Sequence, residues 1–489
     1  MPRLSRRLFL SVSATLLARP AIAAPSPAAS GIDVIIVGAG AAGIAAARRL
    51  AAEGARFVLL EASDHIGGRC ITNTRAFGVP YDLGAHWIYT PDLNPLTKLS
   101  PRRGVEVYPA PASQKVRIGL RNAREGELED FLAMELRATR AIGEAARKVD
   151  APSAQFLPND LADWRSTVEF ELGPYFCTKD LGQVSTVDLS RAAERSSAAF
   201  CRQGFGTLLA ALAEGIPAQL STPVKSIDTR GALRVETAKG TLTARAVIVT
   251  VSTDVIASGR IAFNPDLPHR MIDTFGRLSL GSYDHIALEL ADNPLGLDTD
   301  DLIFEKSKDS HTAALLANVS GTPLCMVDVG GSFGRDLSAQ GEAAMVDFAV
   351  SWLANLYGAD VKKAVGRTHA TRWNAEPWTR GAASAAVPGA QVARRNIMDP
   401  VNDALWFAGE AAHETLWGTV GGAWESGERA AEAVLRRLGV LKPLPAAQTD
   451  GGPKVKQKRA RIERRQRAPT TPTAASGQGT PSIVGAERR

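Results

Sequence analysis

An α/β fold built on a Rossmann-like dinucleotide-binding unit is predicted by three features near the start of this 489-residue chain. Asp33-Val34-Ile35-Ile36-Val37 is a short apolar, β-branched run, the pattern of a buried parallel strand. Gly38-Ala39-Gly40-Ala41-Ala42-Gly43 follows at once, and Ile44 to Ala52 is alanine-rich and strongly helix-forming. Phe57 to Leu60 then makes a second strand that ends in Glu61. A chain of this length is too long for one ordinary core, so two structural domains are expected.

Each part of the opening unit has a physical task. Gly38 permits a tight turn, Gly40 lets backbone approach a pyrophosphate, and Gly43 lets the helix pack closely on the strand. The helix start presents free N–H groups and a positive dipole end to phosphate, with Ala42 in its first turn. Gly54 can close the helix. Glu61, 23 residues after Gly38, is placed to accept hydrogen bonds from a ribose diol. A lone G-x-G-x-x-G is a weak signal, but here strand, glycines, helix, second strand and acidic residue occur in order.

The two ends of the chain differ from its body. The formal net charge is +6, yet ten Lys/Arg against three Asp/Glu fall from Asp450 onward, and four arginines fall within residues 1–23. The basicity therefore belongs to the ends, which removes nucleic acid as a partner of the fold. Arg6-Arg7-Leu8-Phe9-Leu10 opens an apolar run to Ala18, too short for a bilayer core, and Ala21-Ile22-Ala23 offers small residues for cleavage. Residues 1–23 read as a signal peptide of the twin-arginine pattern, which carries folded proteins across the bacterial inner membrane, so a periplasmic location is expected. The segment 442–489, rich in Pro, Gly, Ser, Thr, Lys and Arg, is expected to be a disordered basic tail. It either makes a weak contact with an anionic surface or is simply solvated. Cys70, Cys177, Cys201 and Cys325 show no metal-like spacing, so no metal is expected. Cys177 and Cys201 either pair in an oxidising compartment or remain free buried thiols.

Ala62-Ser63-Asp64-His65-Ile66-Gly67-Gly68-Arg69 extends the acidic strand end into a Gly-Gly-Arg turn, which brings backbone amides and a guanidinium to a second face of a long dinucleotide. Near the other end, Leu405-Trp406-Phe407-Ala408-Gly409-Glu410 and Gly418-Thr419-Val420-Gly421-Gly422-Ala423-Trp424 form a short strand and a glycine-rich entry to another helix. Together these segments resemble the FAD-binding flavin-containing amine oxidase family, from Asp33 to Leu438. The resemblance implies a two-dinucleotide-binding, Rossmann-like FAD domain interleaved with an α+β substrate domain. Residues 31–89, 201–265 and 381–440 would supply the first. Residues 90–200, largely helical, and 266–380, a sheet, would supply the second. It also implies cofactor contacts at Gly38, Gly40, Ala42, Gly43, Glu61, Ala62, Gly68 and Arg69. Further contacts fall at Gly84, Ala85, His86 and Trp87, at Val224 through its backbone, at Trp373, at Gly409 and Glu410, and at Thr419 and Val420.

The departures from the family pattern are informative. The loop Arg380-Gly381-Ala382-Ala383-Ser384 lacks the cysteine that attaches FAD in some members, so non-covalent FAD is expected. Ala383 and Thr419 stand where monoamine oxidases place two caging tyrosines. Trp417 either supplies one wall of the pocket or packs in the core. His285 stands where most members carry a lysine that holds a water against flavin N5; it either takes that role or is satisfied structurally. His86-Trp87 stands where L-amino-acid oxidases carry an arginine, so a carboxylate clamp is not visible, which argues against an amino-acid substrate. His86 is either a pocket residue or core.

The expected activity is an FAD-dependent amine oxidase that takes hydride from an amine α-carbon to flavin N5. The products are an imine, then an aldehyde, and hydrogen peroxide if oxygen accepts the electrons. An aromatic pocket of Trp87, Trp378 and Trp417 would favour the neutral amine by desolvation. Two alternatives share the scaffold: a desaturase-like or porphyrinogen-oxidase-like enzyme, and a flavin-binding accessory protein without turnover. The particular amine, the acceptor and the oligomeric state are left open.

Overall fold

The structure is a computed structural model and describes residues 31–443 apart from 112, 113, 194 and 196. The expected signal peptide, 1–23, and the basic tail from residue 444 onward lie outside the described residues.

A five-stranded, wholly parallel sheet carries the opening unit. Its order is Ala218–Gln219, Phe57–Leu60, Val34–Val37, Ala246–Val249, Leu405–Phe407. Val34–Val37 lies at its centre, which explains why all four of its residues are apolar and buried. Successive side chains of a strand face opposite ways. Val34 and Ile36 accordingly join a core with Ala46, Leu50, Trp406 and Val434. Ile35 and Val37 face a second core containing Val235, Phe275 and Phe407. The first helix, Ala41–Ala52, ends just before Gly54, which takes a left-handed φ of 69°. It packs against the closing helix, Val420–Arg437, at a contact that only glycine allows, since a Cβ on Gly427 would lie 2.0 Å from the Ala42 carbonyl oxygen.

A four-stranded sheet of Val224–Asp228, Leu233–Thr237, Gly240–Ala244 and Ala262–Asn264 covers one face of this layer. A separate seven-stranded sheet runs in the order Val365–Ala370, Tyr283–Leu290, Leu324–Gly330, Ala314–Leu316, Leu302–Glu305, Gln114–Ile118, Arg121–Asn122. The segment 90–200 is less purely helical than expected. It contributes two strands to this sheet, and Val107–Pro109 and Ala198–Cys201 lie in a further three-stranded sheet with Ile88–Tyr89. Alternation along Tyr283–Leu290 sends Ile286, Leu288 and Leu290 into a core with Trp352 and Leu353. It leaves Tyr283 and His285 on the opposite face, toward a cavity.

All four cysteines are free and buried. Cys177 packs with Val184, Ala385 and Trp417, and Cys201 with Ile44, Phe205 and Leu208, so the pairing of these two does not occur.

Candidate active site

A cavity of about 500 Å³ lies across the carboxyl ends of all five parallel strands. Gly38, Glu61, Thr222, Thr250 and Gly409, which line it, each follow one of those strands closely. Ligands of open parallel sheets bind at this edge, because the loops there diverge and the helix N-termini point into the gap.

The cradle is built from backbone. Gly38 takes a φ of 105°, and a Cβ there would sit 2.6 Å from Thr250 Oγ1. A Cβ on Gly43 would lie 1.9 Å from the Gly38 carbonyl oxygen, so helix and turn close together only with glycine at both positions. Gly40 faces no protein atom nearer than 3.9 Å, and Gly409 faces none within 4 Å. Side chains at these two positions would occupy the cavity. Two helices, Ala41–Ala52 and Val420–Arg437, begin on its wall, the first with no side chain capping it. Their first-turn amides and dipoles favour an anionic ligand. This lining fits the pyrophosphate of a dinucleotide.

Two carboxylates fix the cradle's loops. Glu61 accepts from the Ala39 amide at 2.7 Å, and from the Ser63 amide and hydroxyl at 2.9 and 2.8 Å. Glu410 accepts from Arg69 at 3.1 Å, from the Ser384 amide and hydroxyl at 3.1 and 2.7 Å, and from the Gly418 amide at 3.0 Å. Arg69 also donates to the Ala382 carbonyl. Glu410 therefore ties together the Gly-Gly-Arg turn, the 380–384 loop and the entry to the closing helix.

Under the same wall, His285 and Asp328 face each other as a cross-strand pair. Nδ1 lies 2.5 Å from Asp328 Oδ1, and Nε2 lies 2.7 Å from the Gly84 carbonyl. A carbonyl can only accept, so both ring nitrogens carry protons when Asp328 is ionised. Burial opposes that charge, but the Asp328 carboxylate and the Gly84 carbonyl outweigh it and raise the imidazole to about 9. The expected water-holding role does not match this geometry, because no ring nitrogen is left over. His285 instead anchors Gly84, in the segment expected beneath the flavin. Tyr283 donates to the other oxygen of Asp328 at 2.8 Å.

His86 is held through Nδ1 by Asp82 at 2.8 Å, and its Nε2 has no partner among the described residues. Asp82 also accepts from Thr72 and from the Phe205 and Gly206 amides, which start the helix Phe205–Leu212. Trp373 donates to the Leu83 carbonyl at 2.8 Å and packs against Gly84.

Beyond the cradle the cavity is aromatic. Trp87 stacks on Tyr89 at 6.2 Å, Tyr175 lies 6.0 Å from Tyr283, and Phe176 closes another side. Trp378 also lines the cavity, with the Arg260 guanidinium 5.7 Å from its ring. Trp417 does not. It is 0% exposed, donates to the Asp188 carbonyl, and packs in the core with Cys177, Val184 and Ala385, so the expected wall is corrected to a core residue. In its place stand Tyr89, Tyr175, Phe176 and Tyr283, which sequence reasoning missed. Tyr283 had a readable signal, two positions before His285 and so on the same strand face.

Arg195 was also missed. It lines the cavity within cation–π range of Tyr89, Phe176 and Trp417, and no local motif announces it. Of the expected cofactor contacts, Gly40, Ala42, Ala62, Gly68, Ala85, Val224, Thr419 and Val420 are on the cavity wall with the residues described above. Gly43 is not, and acts from behind it.

The family model described as flavin containing amine oxidoreductase matches residues 164–435, and that of an NAD(P)-binding Rossmann-like domain matches residues 36–99. Polyamine oxidase 4 of Oryza sativa subsp. japonica is 24% identical over 457 residues, 85% of this chain and 91% of that protein. Lysine-specific histone demethylase 2 of Homo sapiens is 25% identical over 448 residues, 82% of this chain but 53% of its own length. Cyclohexylamine oxidase from Brevibacterium oxydans IH-35A shares the fold, with a TM-score of 0.71 at 22% identity over 84% of this chain and 100% of that one. A redesigned putrescine oxidase does so at 0.70 and 20% identity, over 83% of this chain and 99% of that one. The first match spans more than half of the sequence. The chain belongs to the flavin containing amine oxidoreductase family, and is an oxidoreductase acting on CH–NH or CH–NH2 groups.

Proposed function

We propose that the chain is an amine oxidase that binds FAD without a covalent bond and oxidises an amine at the carbon next to nitrogen. The observation that carries this reading is the continuous cavity, which joins a side-chain-free cradle at Gly38, Gly40 and Gly409 to an aromatic lobe. FAD, when bound, would supply the redox chemistry: a two-electron acceptor for the hydride of the amine α-carbon, the resulting imine being hydrolysed by water and the electrons passing to oxygen or another acceptor.

The protein's own part is binding, orientation and exclusion of water. The amides of the two helix N-termini and Arg69 would hold the pyrophosphate, and Glu61 would meet the ribose. The His285 imidazolium fixes the Gly84 carbonyl, and Glu410 fixes the loop that carries Ala382 and Ala383. Withdrawal from bulk water and the positive charge of Arg195 on the same wall disfavour an ammonium ion, so the amine reacts in its neutral form. Non-covalent binding is supported by the absence of cysteine from residues 380–384. Cys70 does line the cavity, but burial pushes its thiol well above the ordinary range, which suppresses the thiolate.

The test is to denature the purified protein and to supply the holoenzyme with amines in air. Intact FAD should be released into the supernatant, and hydrogen peroxide or reduction of an added dye should follow one of spermidine, putrescine, tyramine, phenylethylamine or an amino acid. Flavin that stays with the precipitated chain would contradict non-covalent binding. A flavin-loaded protein that turns over none of these would contradict amine oxidation.

A further inference from the structure

The aromatic lobe contains a guanidinium, that of Arg195, which no carboxylate among the described residues pairs with. Arg195 donates to the Trp417 carbonyl at 2.7 Å and to the Phe176 carbonyl at 3.3 Å. A guanidinium has five N–H donors, and among the described residues no acceptor meets the other three and no carboxylate pairs with the group. Its cationic carbon lies 4.3 Å from the Phe176 ring, 5.0 Å from Tyr89 and 5.2 Å from Trp417. These rings stabilise a cation and strip it of water, but they do not cancel its charge. The nearby carboxylates are already committed. Glu410 is held by Arg69, Ser384 and Gly418, and Asp188 by Arg394.

The segment carrying Arg195 is fastened on both sides, by the Ala193 amide to the Thr415 carbonyl and by the Thr90 amide to the Ser197 carbonyl, at 2.9 and 3.0 Å. The guanidinium is thus presented to the cavity rather than free to swing into solvent. Space lies beside it because the neighbouring residues are small. A Cβ on Gly418 would be 3.7 Å from Arg195 Nη2 and 3.4 Å from the Ala383 methyl. A half-buried cation on a cavity wall, with donors to spare and room in front of it, is a site for an anion.

We propose that Arg195 binds a carboxylate of the substrate, so that the amine oxidised by this protein is an amino acid. This rests on the amine-oxidase reading above and names its substrate class. It also reverses the expectation drawn from His86-Trp87: the clamp is absent from that segment and present on another. A polyamine, with further positive charge, is disfavoured by the same group.

The test uses matched pairs that differ only in the carboxylate: phenylalanine against phenylethylamine, and 5-aminopentanoate against pentylamine. The holoenzyme is mixed anaerobically with each, and flavin reduction is followed. Benzoate, which cannot be oxidised, is titrated separately through its perturbation of the flavin spectrum. The same measurements are made on Arg195→Met and on Arg195→Lys, whose flavin content and melting are checked first. One carboxylated compound should reduce the flavin at a concentration on the order of 10- to 100-fold below its partner. Phenylalanine in that position identifies an α-amino acid, and 5-aminopentanoate an ω-amino acid. Arg195→Met should weaken that compound and benzoate by a similar factor, shrink the compound's advantage over its simple amine, and be partly rescued by Arg195→Lys. Preference for the simple amine in both pairs, or benzoate affinity unchanged in Arg195→Met, overturns the carboxylate site while the amine-oxidase reading stands. Arg195-dependent benzoate binding without flavin reduction by any compound retains the anion site and overturns the oxidase reading and the substrate class with it.

Discussion

Two arginines pack against the Trp417 ring, and the protein treats them differently. Arg394, with its cationic carbon 4.6 Å from the ring, is 0% exposed and makes a two-pronged ion pair with Asp188 at 2.5 and 2.7 Å. Ser384 and the Ala411 carbonyl accept its remaining contacts. Arg195 has two backbone carbonyls and, among the described residues, no counter-charge. A folded chain neutralises a buried charge that serves only its own architecture, because leaving it unpaired is costly. Arg394 is such a structural charge, tying the 380–384 loop and the segment after Glu410 to the helix Thr186–Arg191. Arg195 lies on the cavity wall, where a ligand can complete it.

The comparison orders the expected effects of substitution. Asp188→Asn leaves Arg394 charged and unpaired in the core and should destabilise the fold by about 3–5 kcal/mol, read as a fall in the urea midpoint. A loss no larger than that of an average surface change would remove the distinction between the two arginines.

The next effect concerns the buried pair of His285 with Asp328, and it depends on pH. The imidazole is raised from 6.5 to about 9 in the folded state, so its stabilisation is complete below about pH 6.5 and is lost as pH rises through 9. Lys179 opposes this trend. Burial lowers its ammonium to about 8, so above that pH the folded state gains relative stability. The informative quantity is therefore the difference between wild type and Asp328→Asn. It should be up to about 3 kcal/mol at pH 6 and shrink toward pH 9.5. A difference independent of pH would show that the imidazole is not charged in the fold.

His86→Phe comes third, at about 1–2 kcal/mol by thermal melting, because Asp82 keeps Thr72 and two backbone amides when the imidazole is removed. A collapse of the fold would mean that His86 carries the Asp82 network rather than joining it. Arg195→Met should be smallest. In the absence of ligand it should cost no more than about 1 kcal/mol, since lost ring contacts are offset by removal of an unpaired charge. A loss as large as that of Asp188→Asn would make Arg195 structural.

These contrasts also mark where the sequence was readable. The cradle was legible because its parts are contiguous: an apolar strand, glycines at fixed offsets and a helix leave one geometry for residues 33–61. That Gly409, Glu410 and Val420 belong to the cavity wall was legible from the family pattern. The aromatic lobe was not, because Tyr89, the adjacent Tyr175 and Phe176, and Tyr283 come from three separate segments that meet only in the fold. Trp417 was misjudged for a related reason. It sits in a turn before a helix, where no period of two or 3.6 tells which way a side chain points. His285 lay on the correct strand face, but its occupation by Asp328 depends on register with a strand some forty residues away. Arg195 had no local signature, since what distinguishes it is that no carboxylate among the described residues pairs with it.

The reading that joins cradle and lobe is tested most directly by adding substrate to the purified holoenzyme without oxygen. The visible absorption of the flavin should bleach on addition of an amino acid or simple amine and return when air is admitted. A protein that carries flavin but shows no bleaching with any member of the matched pairs or of the polyamine panel would contradict it.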